Sequence, residues 1–257
     1  MTATAARPFR IYAHRGASAE LPENTLVAFG RALELGVDAL ETDVHVTRDG
    51  AVVVHHDATG LRTAKVDRAI ADTDLEDVRK WDVGRGMRVP TLEELFDTCP
   101  SVTVNVDIKA HTKRAAQHVV DLVRKRGESQ RVTLTSVDDA VVRHVRALGY
   151  EGAVGLGRAS ALLVLATPRA VLAGMRSSGL IGGDALQIPW RFKGVRFDHA
   201  RLVRRGHAAG LRVDYWTVND PAIARRIVSL GADGIMTDDP RCVVRSIREA
   251  RAELAAS

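Results

Sequence analysis

The amino-acid sequence predicts an α/β protein, a (β/α)8 TIM barrel with a small insertion after its second strand. Three observations carry that reading. Short runs rich in Val, Ile, Leu and Ala alternate along the chain with segments of helical period. The alternation yields eight strand-like runs over 257 residues, close to the ~250 residues such a barrel needs. A unit also repeats. Leu35-Gly36-Val37-Asp38-Ala39-Leu40-Glu41-Thr42-Asp43 is echoed by Leu230-Gly231-Ala232-Asp233-Gly234-Ile235-Met236-Thr237-Asp238. Each copy ends a helix on Gly, enters a short strand and leaves it on Thr-Asp. Gly149 and Gly210 end helices in the same way, where a left-handed residue is cheapest as glycine. Repeated units favour one barrel over 1–257 rather than two domains. A doubly wound open sheet is the competing arrangement, but no glycine-rich phosphate loop follows the first strand.

In order, strands are expected at 9–13, 37–43, 102–107, 132–135, 152–156, 185–188, 211–216 and 233–236. Pro22-Glu23-Asn24-Thr25 reads as the entry to a helix over 26–35, which Gly36 ends. Asp49-Gly50 is a hairpin signal that returns the run 51–54 into His55-His56-Asp57. From 58 to 90 the alternation fails. A connection that long reads as an inserted subdomain, with a short capped helix beginning near Asp72-Thr73-Asp74. Thr91-Leu92-Glu93-Glu94 fits a capping box and starts a helix to about Thr98. Further helices are expected at 113–125, 138–148, 168–178, 198–209, 221–230 and 240–252.

Composition narrows the function. Apolar residues make up 46% and aromatics only 4%, so the core is aliphatic, as branched strands require. The net charge of +5 falls mainly on arginines of helix faces, where solvated charge is the plain reading. No basic stretch interleaved with aromatics points to nucleic acid. A modest positive field favours an anionic small-molecule substrate. The two cysteines, Cys99 and Cys242, have no metal-ligand spacing and fit a reducing, cytoplasmic setting. Residues 1–8 contain no apolar run of a leader, and nothing approaches the ~18 apolar residues of a membrane span. A homo-oligomer is compatible with the sequence.

The chemistry collects at strand exits. In a barrel the active site lies at the C-terminal strand ends. Glu41 and Asp43, two apart, share one face of the second strand. Two such carboxylates repel unless a cation lies between them, and a hard divalent metal is the simplest remedy. An acidic strand end exposed to water is the other reading. His14 and Arg15 leave the first strand, His56 follows the hairpin, Asp107 and Lys109 leave the third strand and Trp216 leaves the seventh. Each has a plainer reading: a hydrogen-bonded structural histidine, a surface ion pair for Arg15, a Lys109–Asp107 pair, core packing for Trp216. His45 and His55 are read as structural, and Asp57 as orienting its neighbour or capping a turn. Convergence on one mouth is what favours function.

These residues resemble the glycerophosphodiester phosphodiesterases, a family of metal-dependent (β/α) barrels. The resemblance rests on His14-Arg15-Gly16, Pro22-Glu23-Asn24-Thr25, Glu41-Thr42-Asp43-Val44, His56-Asp57, Val89-Pro90-Thr91-Leu92-Glu93, Trp216-Thr217-Val218-Asn219 and Gly234-Ile235-Met236-Thr237-Asp238. It runs in order through nearly the whole chain and includes the insertion. It implies hydrolysis of glycerophosphodiesters to glycerol 3-phosphate and an alcohol. By this resemblance Glu41, Asp43 and Asp107 hold one divalent cation, Mg²⁺ or Ca²⁺. His14 and His56 are the acid–base pair, Arg15 and Lys109 touch phosphate, and Trp216 contacts substrate. Asp107 stands where the usual family member has Glu; the related sphingomyelinase D branch has Asp there.

Other readings stay in view. A metal-dependent barrel lyase or aldolase could use the same three carboxylates, though two histidines beside an arginine suit phosphate chemistry better. A non-catalytic barrel could bind the same diesters. A lysophospholipase D or sphingomyelinase D-like enzyme needs an apolar groove, for which residues 162–165 are the candidate lining.

Overall fold

The structure, a computed structural model, describes residues 7–256. Residues 1–6, most of the stretch read as having no leader, lie outside the described residues, as does Ser257. The chain opens with β1 (Arg10–His14) and α1 (Leu26–Glu34). Next, β2 (Ala39–Val46) turns back through Asp49-Gly50 into an antiparallel β3 (Val52–Val54). The insertion holds β4 (Thr59–Gly60), α2 (Leu61–Ala64), β5 (Val66–Ala69) and α3 (Leu75–Val78). From α4 (Leu92–Thr98) the chain runs through β6 (Thr103–Ile108), α5 (Lys113–Lys125), β7 (Val132–Thr135), α6 (Asp139–Ala147), α7 (Arg158–Ala166) and α8 (Arg169–Ser177). It continues with β8 (Ala185–Pro189), a hairpin of β9 (Arg191–Phe192) and β10 (Val195–Arg196), and α9 (Ala200–Ala208). Last come β11 (Arg212–Trp216), α10 (Pro221–Ser229), β12 (Gly234–Thr237) and α11 (Pro240–Ala256).

Seven strands pair in the order β7–β6–β2–β1–β12–β11–β8, every contact parallel. Val154 bridges β7 at Leu134, and Gly155 bridges β8 at Ala185, so this segment closes the ring. The arrangement is that of a (β/α) TIM barrel. The strand expected at 152–156 is thus reduced to two bridges. Glycine is the reason: a Cβ on Gly155 would sit 2.6 Å from the Thr135 side chain, and glycine weakens strand pairing. A second correction is α7, which the expected helix series lacked. Its Ala-Leu-Leu-Val-Leu-Ala core has no polar face to reveal a helical period, and Pro168 separates it from α8. Leu162 and Leu163 face solvent there, Val164 is buried and Leu165 packs on the core. As expected, the insertion follows the Asp49-Gly50 hairpin and its return strand, so no helix directly follows β2.

Local signals place the elements well. Thr25, Thr112, Asp138 and Asp220 cap helices with their side chains, and Thr91 with Glu94 forms the expected capping box. Such caps contribute ~1 kcal/mol each. The insertion has its own small core of Ile70, Val78, Trp81, Val83 and Val89, packed on Val53. At the N-terminal strand ends an Asp before the strand recurs. Asp38, Asp184 and Asp233 accept the main-chain N–H of Ile11, Val154 and Val213 at 2.9, 2.9 and 2.7 Å. The repeated Gly-x-Asp of the sequence is therefore a staple between neighbouring strands. Asp198, just before α9, is buried and accepts hydrogen bonds from the Arg196 and Arg226 guanidinium groups.

Candidate active site

Register builds the site. β2 aligns Glu41 with His14 of β1 on one side and Asp43 with Asp107 of β6 on the other. Glu41 and Asp43 share a face because they are two apart on a strand. Both are buried, with Asp43 fully enclosed. Arg15 follows β1 in the left-handed conformation, φ +60, and its Nε lies 3.0 Å from Asp43 Oδ2. Lys109 follows β6, and its ammonium spans Asp107 Oδ2 at 2.7 Å and Asp43 Oδ1 at 3.0 Å. Trp216 stands at the end of β11, 37% exposed, so it is available to a ligand rather than lost in the core.

The two histidines are held alike. His14 Nδ1 donates to Asp238 Oδ1 at 2.7 Å, and His56 Nδ1 donates to Asp57 Oδ1 at 2.6 Å. A carboxylate can only accept, so each bond leaves Nε2 as the nitrogen that can take up or release a proton. His14 Nε2 lies 3.9 Å from Glu41 Oε2. His56 follows the strand paired with β2 and is close enough to depress the Asp43 pKa. His45 and His55 are buried and bonded elsewhere. His45 Nε2 meets the His56 carbonyl, while His55 meets the Asp57 carbonyl and the Thr63 hydroxyl.

Charge in this enclosure is unbalanced. Burial, and then Asp43, push the Glu41 pKa up to about 8. Burial also works to raise Asp43, but Lys109 and Arg15 outweigh it and hold that carboxyl below its ordinary range. Burial alone would lower His14; Glu41 and Asp238 overcome it, and the net shift is upward. Asp57 sits at about 2: burial opposes the shift, while Arg62 and His56 drive it.

Two carboxylate oxygens of the cluster are short of donors. Asp107 Oδ1 is buried without a hydrogen-bond partner, and Asp43 Oδ1 meets only the Lys109 ammonium. Carboxylate oxygens left this way are the ligands Mg²⁺ or Ca²⁺ takes. Among the described residues no group of three or more His, Cys, Asp or Glu side chains is placed to hold a metal ion. Lys109 lies between two of the three carboxylates instead.

Four supporting residues escaped the sequence reading. Asp238 orients His14; its signal was the Thr-Asp exit shared by the two repeat copies. Asn24 donates to Asp43 Oδ2 at 3.0 Å and accepts from the Thr42 hydroxyl, although Pro22-Glu23-Asn24-Thr25 reads simply as a helix entry. Glu23 binds Arg15 at 3.1 Å. Arg62, from the insertion, joins Glu23 at 2.7 Å and Asp57 at 2.6 Å. No sequence signal marks Arg62, because its contacts depend on how the insertion folds over the mouth.

A parallel barrel whose strand ends gather two aspartate-held histidines, buried carboxylates and two cations is laid out as a phosphoester hydrolase. Comparison with known proteins makes this specific. The model of the glycerophosphoryl diester phosphodiesterase family matches residues 14–242. The chain is 35% identical over 230 residues to "Probable glycerophosphodiester phosphodiesterase 2" of Mycobacterium tuberculosis, covering 88% of this chain and 86% of that one. It is 30% identical over 251 residues to the glycerophosphodiester phosphodiesterase of Caldanaerobacter subterraneus subsp. tengcongensis, covering 93% and 98%. The crystal structure of glycerophosphodiester phosphodiesterase from Thermotoga maritima shares the fold, with TM-score 0.72, 24% identity and coverage of 91% and 96%. The chain belongs to the glycerophosphoryl diester phosphodiesterase family.

Proposed function

We propose that the protein hydrolyses glycerophosphodiesters to glycerol 3-phosphate and an alcohol, by histidine acid–base catalysis assisted by one divalent cation. The observation that carries this reading is the matched pair of histidines. Each has Nδ1 anchored on an aspartate, which leaves Nε2 for proton transfer, beside a buried cluster of opposite charges. One histidine takes the proton of the attacking glycerol hydroxyl and the other gives a proton to the leaving alcohol; water, deprotonated in turn, then opens the cyclic phosphate to glycerol 3-phosphate. Asp57 and Asp238 keep the rings in the required tautomer and stabilise each imidazolium as it forms. Arg15 supplies positive charge to a phosphate oxygen, and Lys109 does the same once released from its carboxylates. Trp216 contacts the substrate. Glu41, Asp43 and Asp107 would hold Mg²⁺ or Ca²⁺, which when bound neutralises charge on a non-bridging phosphate oxygen.

The test is a panel of glycerophosphodiesters and lysophospholipids, assayed after chelation and after return of Mg²⁺, Ca²⁺ or Mn²⁺. Release of alcohol and glycerol 3-phosphate that stops on chelation and returns with metal is the expected outcome. Full turnover by metal-free protein would remove the cation from the proposal. Turnover of keto acids in place of diesters would transfer the same carboxylates to a lyase.

A further inference from the structure

Phe192 and Val195 form a cross-strand pair at the tip of the β9–β10 hairpin, and both stand in solvent, 55% and 59% exposed. Lys193 and Gly194 make the turn between them with φ +48 and +85. Two successive positive φ values are what a tight type I′ hairpin requires, so the tip has a defined shape. Cations alternate with the apolar pair. Lys193 Nζ lies 5.7 Å from the centre of the Phe192 ring. Arg196 is neutralised by Asp198, whereas Arg191 and Lys193 enter no ion pair among the described residues.

The hairpin is fastened to the barrel mouth. The Trp190 main-chain N–H donates to the Trp216 carbonyl at 3.0 Å, and its indole N–H donates to the Thr217 carbonyl at 2.9 Å. The Tyr215 hydroxyl donates to the Phe197 carbonyl at 2.9 Å. Both ends of the hairpin are thus tied to the C-terminal ends of β8 and β11, the end of the barrel where the candidate site lies.

An aromatic and a branched side chain standing in water among unpaired cations suit a boundary with apolar chains below and anionic headgroups above. We infer that this hairpin seats the mouth of the barrel on an anionic phospholipid surface. Phe192 and Val195 enter the headgroup boundary, and Arg191 and Lys193 meet lipid phosphates. A protein partner fits poorly, because a specific protein interface covers ~800 Å² on each side, and this tip offers one apolar pair. The inference deepens the phosphodiesterase reading and rests on it for the choice of lipid: soluble diesters released by deacylation of lipids would be met at the surface where they form.

Binding is measured without turnover, by sedimentation of the full chain with vesicles of phosphatidylglycerol mixed with phosphatidylcholine, or of phosphatidylcholine alone. Wild type should sediment with the anionic vesicles and release with added salt. Phe192→Glu combined with Val195→Glu should lower the partition roughly tenfold or more. Arg191→Glu with Lys193→Glu should abolish the preference for anionic lipid. Both double variants should hydrolyse soluble glycerophosphocholine like wild type, which reports folding and tests the phosphodiesterase reading separately. Wild type that ignores both vesicles, or a Phe192/Val195 variant that sediments equally well, would overturn the inference. So would lipid-free self-association lost in that variant, which would give the tip to a second copy of the chain.

Discussion

Both ends of the barrel bury charge, and they use it in different ways. At the N-terminal end three carboxylates bind backbone, and two of them pair with basic side chains as well, Asp184 with Arg146 and Arg176 and Asp233 with His207. Asp38, Asp184 and Asp233 each take a main-chain N–H of the neighbouring strand, and Arg212 reaches the Pro8 and Asp233 carbonyls as well as Asp214. At the C-terminal end the carboxylates chiefly face side-chain cations, and Asp107 keeps an oxygen with no donor. Charge spent on the backbone fixes strands in place. Charge facing other mobile charge can be redirected to a ligand. Buried ionisable groups therefore do not mark function by themselves.

The largest expected effect tests the C-terminal end. His14→Ala and His56→Ala should each lower kcat by roughly 10²–10⁴-fold, with little loss of stability. The double variant should be barely worse than either single one, because the two act as a unit. Near-normal kcat in His56→Ala would show that its bond to Asp57 is structural, and the contrast between the ends would fail. Next comes the opposite end. Arg212→Ala leaves Asp214 buried without its partner and should cost ~3–5 kcal/mol in urea unfolding. The fraction still folded should keep wild-type kcat. A loss of kcat without loss of stability would mean that the two ends are coupled.

Asp107→Glu sharpens the picture of the site. The carboxylate already faces Asp43 in register and contacts Lys109, so one more methylene should crowd the mouth. Activity and metal affinity should fall roughly tenfold or more, read by metal titration beside steady-state kinetics. Unchanged metal affinity in Asp107→Ala would place the third ligand elsewhere. The smallest effect concerns Asp214, the N-terminal carboxylate with an unpartnered oxygen, which burial raises to about 6 despite Arg212. Its folded pKa lies above the unfolded value near 4, so between the two the native state holds the extra proton. Stability should therefore fall as pH rises from about 4 to about 6. Asp214→Asn should flatten that part of a denaturation series, and an unchanged slope would assign the titration to another group.

Much of this was readable before the fold was known. Strand exits His14-Arg15, Glu41-x-Asp43 and Asp107-x-Lys109 are legible because a parallel barrel sends every strand exit to the same end. The capping box at Thr91 and the hairpin at Asp49-Gly50 are legible because their signals lie within four residues. Arg62 and Asn24 are not, since their partners are distant and their local context is ordinary. The repeated Gly-x-Asp was legible as a repeat, whereas its purpose as a strand staple required the neighbouring strand. The fifth strand was drawn too long for the opposite reason: its valine and leucine read as strand, and its glycines limit what can pair.

That fifth strand has a mechanical consequence. On the β7 side Leu134 donates to Ala153 and Gly155 donates back to Leu134; on the β8 side Leu156 donates to Ala185 and Asp184 donates to Val154. Between β2 and β6, by contrast, six residue pairs stand in register. The ring is closed in topology but behaves elastically as a clasp, stiff around the arc that carries the site and thin at the seam opposite. Amide hydrogens of residues 153–156 should exchange ahead of those in β2 and β6, and thermal breathing would open the molecule there first, leaving His14, Glu41, Asp43 and Asp107 aligned on the rigid arc.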